Sequence, residues 1–225
     1  MSAEGVQQGD PLGPLLFCLV IHPILTRSKA EYRIGYLDDV TLGGELSQMA
    51  NEVDQLRSDA ARIGLSLNEG KCELISANIL TSVPKQLSGF RRVLVQEATM
   101  LGAPLGGGPA MEEVWGKHKD DLDRAASRLC SLNSHDALVI LKNSLSLPKL
   151  LFHLRCTFSG DHPILSLLDA KTREMLCQIL NVDISDGQWD QASLPVKWGG
   201  LGIRRTVQVA PSAYLASVSG VSNLV

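Results

Sequence analysis

Aromatic side chains are scarce in this chain: three Trp, three Tyr and four Phe, or 4% of 225 residues. A core with so few rings has to be mostly aliphatic. Positive charge is not in excess either. Lys and Arg number 21 against 24 Asp and Glu, giving a formal net charge of −3 and a pI near 5.9. That balance excludes the globally basic surface of a dedicated nucleic-acid binder, so any such binding needs a local basic face. The five cysteines, Cys18, Cys72, Cys130, Cys156 and Cys177, are odd in number and contain no C-x-x-C pair. They read as reduced thiols, mostly buried in apolar runs, of an intracellular protein, cytoplasmic or nuclear. His153 and Cys156 share a helical face, but the lack of a second pair at finger-like spacing weighs against a metal site. Long apolar runs are missing too. Residues 12–25 are the most apolar stretch, too short to span a bilayer and interrupted by His22 and Pro23. A buried helix is expected there, with no membrane association. The first ten residues are polar and acidic, so no secretory signal is expected.

What is present is a soluble globular composition, 44% hydrophobic and 20% charged, long enough for one large domain or two small ones. One short stretch stands out. Tyr36-Leu37-Asp38-Asp39 lies between the apolar runs around Ile34 and Val40, and the pattern predicts a β-hairpin with the acids at its turn. Adjacent carboxylates repel, and burying one unpaired would cost several kcal/mol. Divalent cations would relieve the repulsion, because Mg²⁺ is held by one or two carboxylates plus substrate phosphates. Exposed turn acids with no chemistry are the plain alternative, since Asp favours turns.

The chain on either side has a clear punctuation. Gly5-Val6-Gln7-Gln8-Gly9-Asp10-Pro11 reads as a loop, with Asp10 as helix cap and Pro11 at the first helical position. Gln8 and backbone N–H groups at a helix start suit phosphate contact; an ordinary capped helix is the alternative. A second helix is predicted over 45–63, with Leu46, Met49, Val53, Leu56, Ala60 and Ile63 on one face and Gly64 ending it. A turn and a strand follow over 65–75. Lys71 there could meet a phosphate or could be a solvated strand-edge lysine. Residues 93–95 and 99–102 suggest two short paired strands, and Gly106-Gly107-Gly108-Pro109 marks a break without a P-loop signature. Helices are then expected over 111–132, over 136–147, from Pro148, and from Pro163 to near Leu180, forming a small bundle. The mixed charges of the first of these suit a solvated face better than a nucleic-acid track. Gly199-Gly200-Leu201-Gly202 reads as a packed loop, with no βαβ context for a cofactor.

Three segments in this order, Gly5–Phe17 with its Q-G-D-P centre, Tyr36-Leu37-Asp38-Asp39, and Gly64-Leu65-Ser66-Leu67-Asn68 with Lys71-Cys72-Glu73, resemble the palm of a reverse transcriptase from a non-LTR retrotransposon. Leu101-Gly102 resembles that family's primer-grip turn, and Gly199-Gly200-Leu201-Gly202 a segment found beyond its thumb. The resemblance implies an α+β fold. Residues 1–108 would be a partial palm, an antiparallel sheet with covering helices. Residues 109–185 would be a helical thumb-like bundle and 186–225 a C-terminal extension. It implies RNA-directed DNA polymerase chemistry on an RNA template, a DNA primer and a dNTP. Asp38 and Asp39 would hold two Mg²⁺ ions, with Gln8, Gly9 and Tyr36 at the nucleotide or template and Lys71 at the leaving pyrophosphate.

One departure qualifies this. The family carries a further catalytic Asp on a strand ahead of the Q-G-D-P loop, and only Met1-Ser2-Ala3-Glu4 precede it here. The expectation is an N-terminally truncated, inactive fragment whose two-metal site is incomplete. A longer polyprotein or a partner could supply the strand, and an RNA- or protein-binding module on the same scaffold is the alternative. An open sheet edge and exposed aliphatic surface are expected near Asp38, with Met100, Leu101 and the first helix as candidates.

Overall fold

The computed structural model describes Gly5 and residues 9–222. Gln8, named above for nucleotide contact, lies outside the described residues. The chain divides into two compact units, Met1–Leu94 and Val95–Val225, so the division falls ahead of the triple glycine.

The N-terminal unit begins with α1 (Gly13–Arg27), which has Pro14 in its first turn and continues through Pro23. Asp10 accepts the Leu12 N–H at 2.9 Å, but the helix begins at Gly13 with Leu12 in the cap position, so Asp10 is not its N-cap. The expectation of a buried helix is overturned. Leu12, Leu15, Leu16, Leu19 and Val20 are all exposed, and Gly13 is its one buried residue. The apolar residues of α1 are spread around its circumference, and the unit offers too little apolar surface to cover them. The hairpin β1 (Tyr32–Tyr36) and β2 (Asp39–Gly43) follows, then α2 (Leu46–Arg62). Met49, Ala50 and Val53 of α2 are buried, while Ile63 is exposed beyond its end. Asp59 is buried too, held by Arg62 at 3.2 Å and by Gln55 Nε2 at 3.0 Å.

Strand β3 (Glu73–Ser76) pairs with β4 (Arg91–Leu94) in parallel register, Ile75 opposite Val93. The expectation of one antiparallel sheet therefore fails at this pair. Parallel neighbours need a long crossover. Residues 77–90 provide it, with a 3₁₀ turn at Lys85–Leu87 that buries Leu87 with Ala50 and Val53 of α2. The described strands form three separate two-stranded pairs.

The C-terminal unit opens with the small hairpin β5 (Thr99–Met100) and β6 (Ala103–Pro104). Residues 93–95 and 99–102 do not pair with each other, because β3 takes up β4 and β5 turns back on itself at Leu101-Gly102, both at positive φ. Leu101 is exposed and Met100 half-buried. Then come α3 (Pro109–Leu129), α4 (Ser134–Ile140), a π turn at Leu141–Leu145, α5 (Leu147–Cys156) and α6 (Ile164–Leu180). Two more helices, α7 (Asp186–Ser193) and α8 (Thr206–Val221), complete the unit. Starts and stops follow local chemistry. Asn133 caps α4 by accepting the Asp136 N–H at 3.0 Å, Asn181 ends α6 at φ 52°, and Ser185 and Gln188 form a reciprocal capping box on α7.

One aliphatic core joins all of these helices. Leu141, Leu154, Leu165, Leu168, Leu176 and Ile203 are almost wholly buried, together with Trp115 and Trp189. On α3 the buried face includes Met111, Trp115, Leu122, Ala126 and Leu129, with the Trp115 indole taken inside. The run Ser134–Cys156 is long and apolar enough by length and composition to cross a membrane, yet Ala137, Leu141, Leu150 and Leu154 within it are core residues here. The cysteines are free, and none is buried: Cys18, Cys130 and Cys156 are exposed, Cys72 and Cys177 half-buried. Cys18 follows α1 into solvent. Burial does push the Cys72 thiol upward, with Glu69 adding to it.

A histidine pair anchors the small hairpin. His153 Nε2 lies 3.1 Å from the Gly102 carbonyl, so it is the N–H donor and Nδ1 accepts from His118 Nε2 at 2.9 Å. Thr157 Oγ1 donates to the Pro104 carbonyl at 2.7 Å. Desolvation, then His153 and Lys149, push His118 down to about 4. Between about pH 4 and its ordinary 6.5, the unfolded chain binds a proton that the native state refuses. Stability should therefore be full above pH 7 and fall as the pH drops toward 4, and His118→Gln should flatten that slope in chemical denaturation.

Burial sets a second expectation. Leu154→Ala, at 0% exposure, should cost about 2–5 kcal/mol. Leu19→Ala, at 60% exposure, should stay within about 0.5 kcal/mol in the same urea titration.

Candidate active site

The carboxylates are presented by the hairpin, and its register places them. Tyr36 pairs with Asp39, Gly35 with Val40, Ile34 with Thr41 and Arg33 with Leu42, leaving Leu37 and Asp38 as a two-residue turn. Such turns require positive φ, and Leu37 supplies it at 55° without being a glycine. The alternation of a strand puts Tyr32, Ile34, Tyr36, Asp39 and Thr41 on one face and Arg33, Gly35, Val40 and Leu42 on the other. The second face meets α1. A Cβ at Gly35 would lie 2.5 Å from Leu25 Cδ1, so this glycine lets the helix side chain close on the strand. The first face is open: Tyr32, Ile34, Tyr36, Asp38 and Asp39 are exposed. Each strand has one hydrogen-bonded neighbour, so among the described residues both outer edges of the hairpin are unpaired.

Asp38 and Asp39 form no ion pair with any described residue. Their repulsion is therefore relieved by water alone, which exposure permits. No third His, Cys, Asp or Glu gathers with them to make a metal cluster among the described residues. The donor set fits one hydrated hard cation, such as Mg²⁺ held by one or two carboxylates. Among the described residues no acid from a second element joins it to hold a second ion.

The other expected residues are not gathered at the hairpin. Gly9 is described, exposed and at φ 93°, a conformation that suits glycine. Lys71 ends the 3₁₀ turn Glu69–Lys71, is exposed, and has no hydrogen bond or ion pair to Asp38 or Asp39. Tyr36 shares the open face with Asp39. A cleft of about 580 Å³ in the same unit is lined by Asp54, Arg57, Glu69, Lys85, Gln86, Ser88 and Gly89 and does not include the hairpin. Arg57 there is held by Asp54 at 2.5 Å and Glu69 at 2.8 Å.

Comparison with known proteins finds a match over the stretch that holds this hairpin. The family model described as reverse transcriptase (RNA-dependent DNA polymerase) matches residues 1–105, a stretch that contains the whole hairpin. The N-terminal 105 residues are thus similar to a reverse transcriptase domain. The reverse transcriptase match is accompanied by similarity to the retrotransposable element SLACS 132 kDa protein of Trypanosoma brucei gambiense, 28% identical over 223 residues. That alignment covers 95% of this chain and 18% of the trypanosome protein, so the chain spans about a fifth of the relative it matches. No solved structure matches.

Because both acids are exposed and carry no partner, they hold nothing in the fold together. Asp38→Asn and Asp39→Asn, singly or together, should leave stability within about 0.5 kcal/mol of the unchanged chain by chemical denaturation.

Proposed function

We propose that this chain is a palm-and-thumb portion of an RNA-directed DNA polymerase of a retroelement. Residues 1–108 correspond to palm, 109–185 to thumb and 186–225 to an extension that shares the thumb's core. The observation that carries the reading is an exposed, unpaired Asp38-Asp39 turn inside the segment matched by the reverse transcriptase family.

In this reading Asp38 and Asp39 offer hard oxygen donors to Mg²⁺. The ion, when bound, would acidify a primer 3′-hydroxyl and neutralise the triphosphate of an incoming dNTP. Tyr36, on the same open face as Asp39, packs beside the primer end. Gly9 permits close backbone approach to nucleotide or template, with Gln8 next to it. Lys71 offers its ammonium to the departing pyrophosphate and has to be brought to the hairpin by the bound substrate. Two carboxylates from one turn hold a metal pair weakly and place it poorly, so the 225-residue polypeptide is expected not to polymerise by itself. It works within a longer polyprotein or with a partner that adds acidic ligands, as the length of the trypanosome relative supports.

Primer extension on an RNA template with Mg²⁺ should give no product above that of the Asp38→Asn/Asp39→Asn variant. Mg²⁺-dependent retention of a labelled RNA–DNA primer–template should fall in that variant by at least about tenfold, the lower bound for disturbing a metal's ligand shell. Product made by the unchanged chain and lost in the variant would overturn the inactivity. Retention indifferent to both substitutions would remove the hairpin from metal binding.

A further inference from the structure

The C-terminal unit neutralises most of its own positive charge. Lys117 pairs with Glu113, Lys119 with Asp123, Arg124 and Lys149 with Asp121, Lys171 with Asp123 and Glu174, Arg173 with Asp186, and Arg205 with Asp190. Arg128, Lys142, Arg155, Lys197 and Arg204 form no ion pair among the described residues. Three of them lie in or against the segment between α7 and α8: Lys197 and Arg204 within it, and Lys142 against it. The Lys142 side chain lies against Gly202, where an added Cβ would sit 3.1 Å from Nζ and 3.8 Å from Val196 Cγ2. Lys197 Nζ stands 4.9 Å from the centroid of the Trp198 ring, and Arg204 is exposed two residues beyond Gly202.

At the tip of this segment Trp198 is 62% exposed, in contrast to the buried Trp115 and Trp189. A large ring left in water usually sits on a mobile loop, yet this one is held firmly. The turn Val196–Trp198 is closed by Trp198 N–H to the Pro195 carbonyl at 2.8 Å and Gly199 N–H to the Val196 carbonyl at 3.0 Å. Gln191 Nε2 donates to the Trp198 carbonyl at 3.3 Å and to the Gly199 carbonyl at 3.0 Å. Gly200 is packed so tightly that a Cβ would lie 2.0 Å from the Leu194 carbonyl oxygen. Leu201 and Ile203 tie back to the Ala192 carbonyl, and the Ile203 side chain is fully buried. The Gly199-Gly200-Leu201-Gly202 stretch is thus the mount of a rigid, exposed indole, in a segment that carries Lys197 and Arg204 and lies against Lys142.

We infer that Trp198 with Lys142, Lys197 and Arg204 is a platform for single-stranded nucleic acid, on which a base stacks on the indole while the cations meet adjacent phosphates. The chemistry favours a polyanion with flat faces over a protein partner. Unpaired cations attract phosphate, an aromatic face accepts any base, and a fixed ring loses little entropy on binding. The chain's net charge of −3 opposes general attraction, so binding has to come from such a local cluster. The platform belongs to the helical unit and goes beyond the hairpin chemistry; it stands or falls independently of polymerase activity.

The test is binding of labelled oligo(U) and oligo(dT) to the full chain at low salt, read by anisotropy and by tryptophan emission. Trp198→Ala should weaken binding by roughly 5- to 150-fold and remove the quenching, and Trp198→Phe should restore most of the affinity. Lys142→Gln/Lys197→Gln/Arg204→Gln should lower the slope of log affinity against log salt by about 2, as expected for three phosphate contacts on a single strand. Circular dichroism checks that each variant is folded. Unchanged binding in both Trp198→Ala and the triple variant would overturn the inference. So would no binding of either oligonucleotide, or tighter binding of duplex than of single strand, and the exposed indole would then belong to a protein contact.

Discussion

Burial of leucine against leucine in the C-terminal unit is the interaction on which the rest of this structure leans. With 4% aromatic residues the chain has few large rings to fill space, and Leu141, Leu154, Leu165, Leu168 and Leu176 take that place. Each removes a whole side chain from water, worth roughly 1.5–3 kcal/mol before packing is counted. The N-terminal unit has no comparable resource. Its cluster is Ala50, Val53 and Leu87, with partly buried neighbours such as Leu74 and Phe90. Such a core covers one face of α2 and leaves α1 and the outer face of the hairpin in water. Exposure of Leu15, Leu16, Leu19 and Val20 follows from that shortage, and so does the exposure of the acids.

Exposure has an electrostatic consequence. Two adjacent carboxylates in a covered turn would have to protonate or find a cation, whereas in water they remain available. Elsewhere acids and bases are matched along the helices, as on α3, where Lys117–Glu113 and Lys119–Asp123 are four residues apart. Such pairs spend charge on local neutrality. Charge left unmatched is therefore informative in this molecule. Asp38 and Asp39 are among the unmatched acids and Lys142, Lys197 and Arg204 among the unmatched cations, and Asp38 and Lys197 each sit in a backbone turn of defined geometry.

Much of this was legible in the sequence. Alternation around Tyr36-Leu37-Asp38-Asp39 marked the hairpin, and the glycines and prolines at 64, 109 and 163 marked helix ends close to where they occur. The set Q-G-D-P, Y-L-D-D and the segment to Glu73 pointed to the reverse transcriptase family before any comparison. Other features depended on tertiary partners that periodicity cannot see. The parallel pairing of β3 with β4 arises from Leu87 docking on α2 through the crossover. Apolar α1 read as buried because hydrophobicity reports what a segment would prefer, not whether a cover exists. Helix α8 was missed because Pro211 interrupts it and small residues blur its apolar face, although Ala210 is core. The firm mounting of Trp198 rests on Gln191 and on the close approach at Gly200, which residue types alone do not disclose.

The Asp38-Asp39 turn is the proposed divalent-metal site of the N-terminal unit. Paramagnetic broadening by Mn²⁺, followed residue by residue in the amide NMR spectrum, tests it most directly. Broadening centred on residues 37–40, reversed by excess Mg²⁺ and lost in Asp38→Asn/Asp39→Asn, is the expected result. Broadening centred instead on the acidic face of α3, at Asp120, Asp121 and Asp123, with the hairpin signals unchanged, would contradict it.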